Sequence, residues 1–135
     1  MHLRIDPLIA SLAVVGSLMG CVGVPMDELR STPPFLEGRS ALSIDAFTRC
    51  LLDLRKIDGL RTDGSVLVTT LPASGVEITI GTAQLGGRRN YYLLRMSAVG
   101  NSTVVIASRA PSNYVPLPEA ELREALRKCG FSASS

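Results

Sequence analysis

Residues 8–19 of this 135-residue chain form an unbroken apolar and small-residue run, preceded by Arg4 and succeeded by Gly20 and Cys21. This segment constrains the fold before anything else does. A membrane-spanning helix needs roughly 20 apolar residues, and this run falls short unless Val22 and Val24 are counted across Gly20 and Gly23. A charged start, a short apolar stretch and a small-residue end are the pattern of a secretory signal. The folded body therefore has to be built from residues beyond Cys21, in a chain marked for export.

Leu18-Met19-Gly20-Cys21 resembles the lipobox of bacterial lipoproteins, in which Leu-x-Gly/Ala-Cys is cut before the cysteine by the lipoprotein signal peptidase. The resemblance implies that residues 1–20 are removed and that Cys21 becomes the first residue, with acyl chains on its sulfur and amine. Each buried methylene contributes about 0.8 kcal/mol, so several chains hold a protein to a membrane without a spanning helix. Val22 comes directly after the cysteine, and a residue other than Asp there resembles outer-membrane sorting in Gram-negative lipoproteins. The expected location is the periplasmic face of the outer membrane, with the inner membrane or the cell surface as the other destinations.

Removal of the signal leaves residues 21–135, enough for one ordinary domain and a tether. Arg4 and Asp6 leave together, so the net charge stays at +2 and gives no expectation of nucleic-acid binding. His2, the only histidine, leaves as well. No imidazole then remains for a catalytic triad or a histidine metal site, so an enzyme, a metal and a cofactor are all unexpected. With Cys21 acylated, Cys50 and Cys129 form an even pair in an oxidising compartment, which is expected to be a structural disulfide. The chain-entropy argument gives such a bridge roughly 4–5 kcal/mol. A reactive or metal-binding thiol pair is the alternative, and it lacks both CxxC spacing and a nearby ligand set.

Residues 21–40 contain Pro25, Pro33 and Pro34 among polar residues and read as a tether, which fully extended would reach about 60 Å and hold the domain clear of the bilayer. The domain is expected over 41–131, with 132–135 a disordered tail. Ser43 is the N-cap of a first helix that carries Ile44, Phe47, Leu51 and Leu54 on one face with Cys50 beside them, and Gly59 stops it. Four strands come next, over 65–71, 76–80, 91–98 and 102–108. The middle of the set alternates cleanly, with Val76, Ile78 and Ile80 against Glu77 and Thr79, as a half-buried strand should. Gly100-Asn101 makes the last two a tight hairpin. Pro118 opens a final helix with Glu119 and Glu121 in its first turn, Arg127 and Lys128 in its last, and Gly130 as its stop. The order α-β-β-β-β-α predicts an α+β fold: an antiparallel four-stranded meander with both helices on one face, stapled by Cys50 and Cys129.

Phe47-Thr48-Arg49-Cys50, Tyr92-Leu93-Leu94 and Leu126-Arg127-Lys128-Cys129, together with the lipobox, resemble a group of small proteobacterial lipoproteins with a helix-to-helix disulfide. That group has no assigned activity, so the resemblance implies fold and location only.

Two binding readings remain. If both helices cover one face, Leu93 and Tyr91 lie on the other, and this face and the sheet edges would serve an accessory protein that binds another envelope protein. Alternatively, Arg88, Arg89 and Tyr91 would hold an anionic envelope component such as lipopolysaccharide or peptidoglycan. Asp45, Asp53, Asp58 and Asp63 cluster at the first helix, where surface ion pairing explains them better than acid–base chemistry does.

Overall fold

Two rules of local chemistry place most of the chain. Helices begin where a capping side chain meets their free N–H groups, as at Ser43, or just after a proline, as at Pro25 and Pro118, and strands alternate where one face is to be buried. The computed structural model describes residues 23–54, 66–71, 75–85, 87–111 and 117–135. Its elements run α1 (Met26–Ser31), β1 (Leu36–Ser40), α2 (Ile44–Asp53), β2 (Val66–Thr70), β3 (Val76–Gln84), β4 (Gly87–Val99), β5 (Ser102–Arg109), α3 (Glu119–Lys128) and β6 (Phe131–Ala133). All sheet pairings are antiparallel, in the order β2-β3-β4-β5-β1-β6. The fold is α+β, and the expected meander forms its β2–β5 part.

The helix signals act as expected. Ser43 Oγ accepts the Ala46 N–H at 3.3 Å and caps α2. Gly130, at φ 77°, ends α3 in the left-handed region that glycine alone enters freely. The expected stop at Gly59 lies outside the described residues. Phe47 and Leu51 of α2 share one core with Leu122 and Leu126 of α3, closing over Ile78, Ile80, Leu94, Met96 and Val105. Cys50 and Cys129 are joined across this layer, with Cα atoms 5.8 Å apart.

The sheet is wider than a four-stranded meander because both ends of the domain take part in it. Residues 24–40, expected as a tether, are integral: α1 packs on the sheet and β1 pairs with β5 on one side and β6 on the other. Leu36-Glu37-Gly38-Arg39-Ser40 has little β-propensity of its own, so two flanking partners rather than local preference make it a strand. Gly38 is required at this crossing, because a Cβ there would lie 2.1 Å from the Ser132 carbonyl oxygen. The expected disordered tail is also ordered in part. Gly130 turns the chain so that Phe131 opposes Ser40, and the Ser134 N–H bonds to the Glu37 carbonyl.

α1 overturns a second expectation, because it covers the sheet face that the two long helices leave bare. Leu29 is fully buried beneath it with Val24, Leu93 and Ala110, a second and smaller core. Burying a leucine of this kind contributes about 2 kcal/mol, which helps to hold a six-residue helix too short to form alone.

Candidate functional site

The residues singled out from the sequence do not converge. Cys21 lies outside the described residues. Leu93 is 0% exposed and Tyr91 7%, so the apolar face expected to be open is closed by α1 and the segment leading into it. Arg88 and Arg89, adjacent in sequence, are successive residues of a strand, and such side chains leave on opposite sides. Arg88 is engaged within the hairpin: its Nε donates to Asn90 Oδ1 at 3.1 Å and its Nη2 to the Thr79 carbonyl at 3.2 Å. Arg89 is half-buried opposite Thr82. Tyr91 is the extra residue of a bulge, where Ile80 and Gly81 on β3 face Tyr92 and Asn90 on β4. The bulge needs glycine at position 81, since a Cβ there would lie 2.1 Å from the Arg89 carbonyl oxygen. Arg88, Arg89 and Tyr91 are thus held in three different environments rather than in one anion cradle.

Two ionic networks went unnoticed in the sequence. Glu77 is buried at 3% exposure, and Arg30 of α1 reaches it as a fork, with Nε and Nη2 each 3.3 Å from a carboxylate oxygen. The hydrogen bond to Glu77 raises the Arg30 pKa, and partial desolvation opposes the rise. Thr79 beside it donates toward Met26 Sδ, and Ser108 Oγ to the Thr32 carbonyl. A clean alternation made Glu77 and Thr79 read as solvent-facing. Nothing local reveals that a segment some fifty positions away covers them. On the other face, Arg109 and Arg123 both pair with Glu119 and flank the Phe35 ring, with guanidinium carbons 5.5 and 5.3 Å from its centroid. The Glu119/Arg123 spacing of four was the visible half of this cluster. Burial raises the neighbouring Tyr92 pKa, with Glu119 adding to the effect and Arg109 opposing it. Both networks are internally paired and act as fasteners.

The surface that offers unused bonding capacity is the outer edge of β2. Among the described residues nothing pairs with that edge. Its residues, Val66-Leu67-Val68-Thr69-Thr70, include no charge and no proline, the usual devices that keep an edge from recruiting another strand. Leu67 and Val68 are exposed. A groove of about 330 Å³ runs beside the edge, with Asp45, Thr48, Arg49 and Asp53 of α2 along one wall and Val68 and Thr70 of β2 along the other. Asp45 and Asp53 lie eight residues apart on a helix, about 12 Å along its axis, too far to act together on one bond. The opposite edge, β6, is three residues long and offers little to a partner.

Among the described residues no three metal-ligating side chains converge, and no helix is long and apolar enough to cross a membrane. These features define a class: a disulfide-stapled α+β domain with one short sheet edge and one that is open among the described residues. No protein-family model, curated protein or solved structure matches the chain.

Proposed function

We propose that this protein is a bacterial envelope lipoprotein, anchored through acylated Cys21 after removal of residues 1–20, that acts as a non-enzymatic accessory by binding another envelope protein. The outer membrane, facing the periplasm, is its proposed location. The Cys50–Cys129 disulfide supports an oxidising compartment. The single observation that carries the binding role is the outer edge of β2, uncharged and, among the described residues, unpaired, with Leu67 exposed and Val68 lining the α2 groove. An extended segment of a partner would add to this edge by backbone hydrogen bonds, and its alternate side chains would enter the groove. The face carrying Leu93 and Tyr91 plays no part in this proposal, since both are buried.

The test is photo-crosslinking in intact cells from positions 67 and 69, then purification of the lipidated protein from its native membrane. A discrete crosslinked protein is expected with the wild type. Val68→Lys, which charges the edge without touching the core, should abolish it while leaving the thermal unfolding midpoint nearly unchanged. Recovery of no protein partner, or of the same partner at full yield with Val68→Lys, sinks the proposal.

A further inference from the structure

The free backbone groups of β2 and the charges of α2 line one groove at nearly the same interval. The Leu71 N–H donates to the Gly75 carbonyl at 2.8 Å, so these two residues form a hydrogen-bonded pair of the β2–β3 ladder. In an antiparallel ladder such pairs alternate with non-bonded ones, and the register sets Thr70 opposite Val76, Val68 opposite Ile78 and Val66 opposite Ile80. The N–H and carbonyl groups of Val66, Val68 and Thr70 therefore point away from β3, to the outer edge. Their side chains lie on the α2 face: Val66 is in the core, and Val68 and Thr70 line the groove. A strand added antiparallel, as the pairings within the sheet are, would bond to these three residues. Its own alternate residues, opposite them, would turn their side chains toward α2.

Asp45, Arg49 and Asp53 line that groove from α2, at successive steps of four residues and hence about 6 Å apart along the helix axis. All three are exposed, and among the described residues none has an ion-pair partner. Alternate residues of a strand are about 6.8 Å apart, so three in succession keep nearly in step with the three charges. The order acid, base, acid reads the same from either end, so the match holds whichever way the strand runs past the helix. We propose that the partner segment is an extended strand with basic, acidic and basic residues at alternate positions, set against Asp45, Arg49 and Asp53. The residues between them are β-branched or apolar and fall beside Leu67 and Thr69 on the other face. The inference rests on strand addition at β2. Backbone bonds supply the affinity there, while the charges fix the register and reject segments of the reverse pattern.

The probes are two synthetic peptides, one with Lys, Glu and Lys at alternate positions between valines, the other with Glu, Lys and Glu in their place. The full-length protein, purified from its native membrane in an uncharged detergent, is titrated into each fluorophore-labelled peptide, and anisotropy is read. Exposed ion pairs are individually weak, but three turned from attraction to repulsion should separate the affinities about tenfold, with the Lys-Glu-Lys peptide the tighter. The triple variant Asp45→Lys, Arg49→Glu, Asp53→Lys changes only exposed side chains and should invert this preference with an unchanged circular dichroism spectrum. Arg49→Glu alone should already narrow it several-fold. Methylating the backbone nitrogen of the central Glu, whose N–H would bond to the Val68 carbonyl, should abolish binding, whereas methylating a neighbouring valine nitrogen should spare it. Equal affinities for the two peptides, or a preference that survives the charge inversion, overturn the charge matching and leave strand addition standing. Binding of neither peptide, or binding indifferent to both methylations, overturns strand addition and this inference with it.

Discussion

Arg30 and Glu77 form an ion pair of unequal members, and that inequality predicts an asymmetric response to mutation. The Glu77 side chain is 4% exposed, whereas that of Arg30 is 44% exposed. Removing Arg30 strands a carboxylate in a site that water does not reach. Removing the carboxylate leaves a guanidinium that water can solvate. Breaking a fully buried pair costs about 3–5 kcal/mol, and partial solvent screening of Arg30 lowers this, so Arg30→Met should destabilise by about 2–3 kcal/mol. Glu77→Gln keeps an acceptor for the guanidinium and should cost about 1 kcal/mol. The double change Arg30→Met with Glu77→Leu replaces the pair by packed apolar groups and should recover most of the Arg30→Met loss, since buried pairs and apolar replacements are often close in energy. The assay is equilibrium urea unfolding monitored by far-ultraviolet circular dichroism, with slopes compared to confirm a common transition. Equal losses for the two single variants, or a double variant as weak as Arg30→Met alone, would refute the account of α1 as a clamp held by a buried carboxylate.

Three further outcomes are expected. Replacing both cysteines, Cys50→Ala with Cys129→Ala, opens a loop with a sequence separation of 79; the chain-entropy argument sets the loss at about 4.5 kcal/mol, to be read from urea midpoints. Gly38→Ala forces a Cβ against the Ser132 carbonyl and should detach β6, seen as fast amide exchange at Ser134, whose N–H bonds to the Glu37 carbonyl, while exchange in β3 and β4 stays slow. Burial raises the Tyr92 pKa, so the folded state holds the phenol proton more tightly than the unfolded chain does. Its contribution is therefore complete below the ordinary value of 10.0 and is lost as pH climbs from there through the raised folded value. Tyr92→Phe should flatten that alkaline limb in a pH series of unfolding midpoints.

What the sequence determined by itself was local. Ser43 caps α2, Gly130 stops α3, and the alternation of Val76, Ile78 and Ile80 marks β3, because each depends on bonds or faces within a few residues. The pairing of Cys50 with Cys129 was legible as soon as both cysteines fell on apolar helix faces and Cys21 was assigned to the lipid. Tertiary structure alone decided the rest. β1 has no periodic pattern and becomes a strand only because β5 and β6 flank it. α1 is too short to hold its shape without Leu29 in the second core and Arg30 on Glu77. Glu77 and Leu93 were assigned to an open face by sound local rules and are buried by a segment distant in sequence. The candidate edge on β2 was foreseen only as an edge; which edge stays open is set by the strand order, and strand order is a matter of long-range pairing that no window of residues contains.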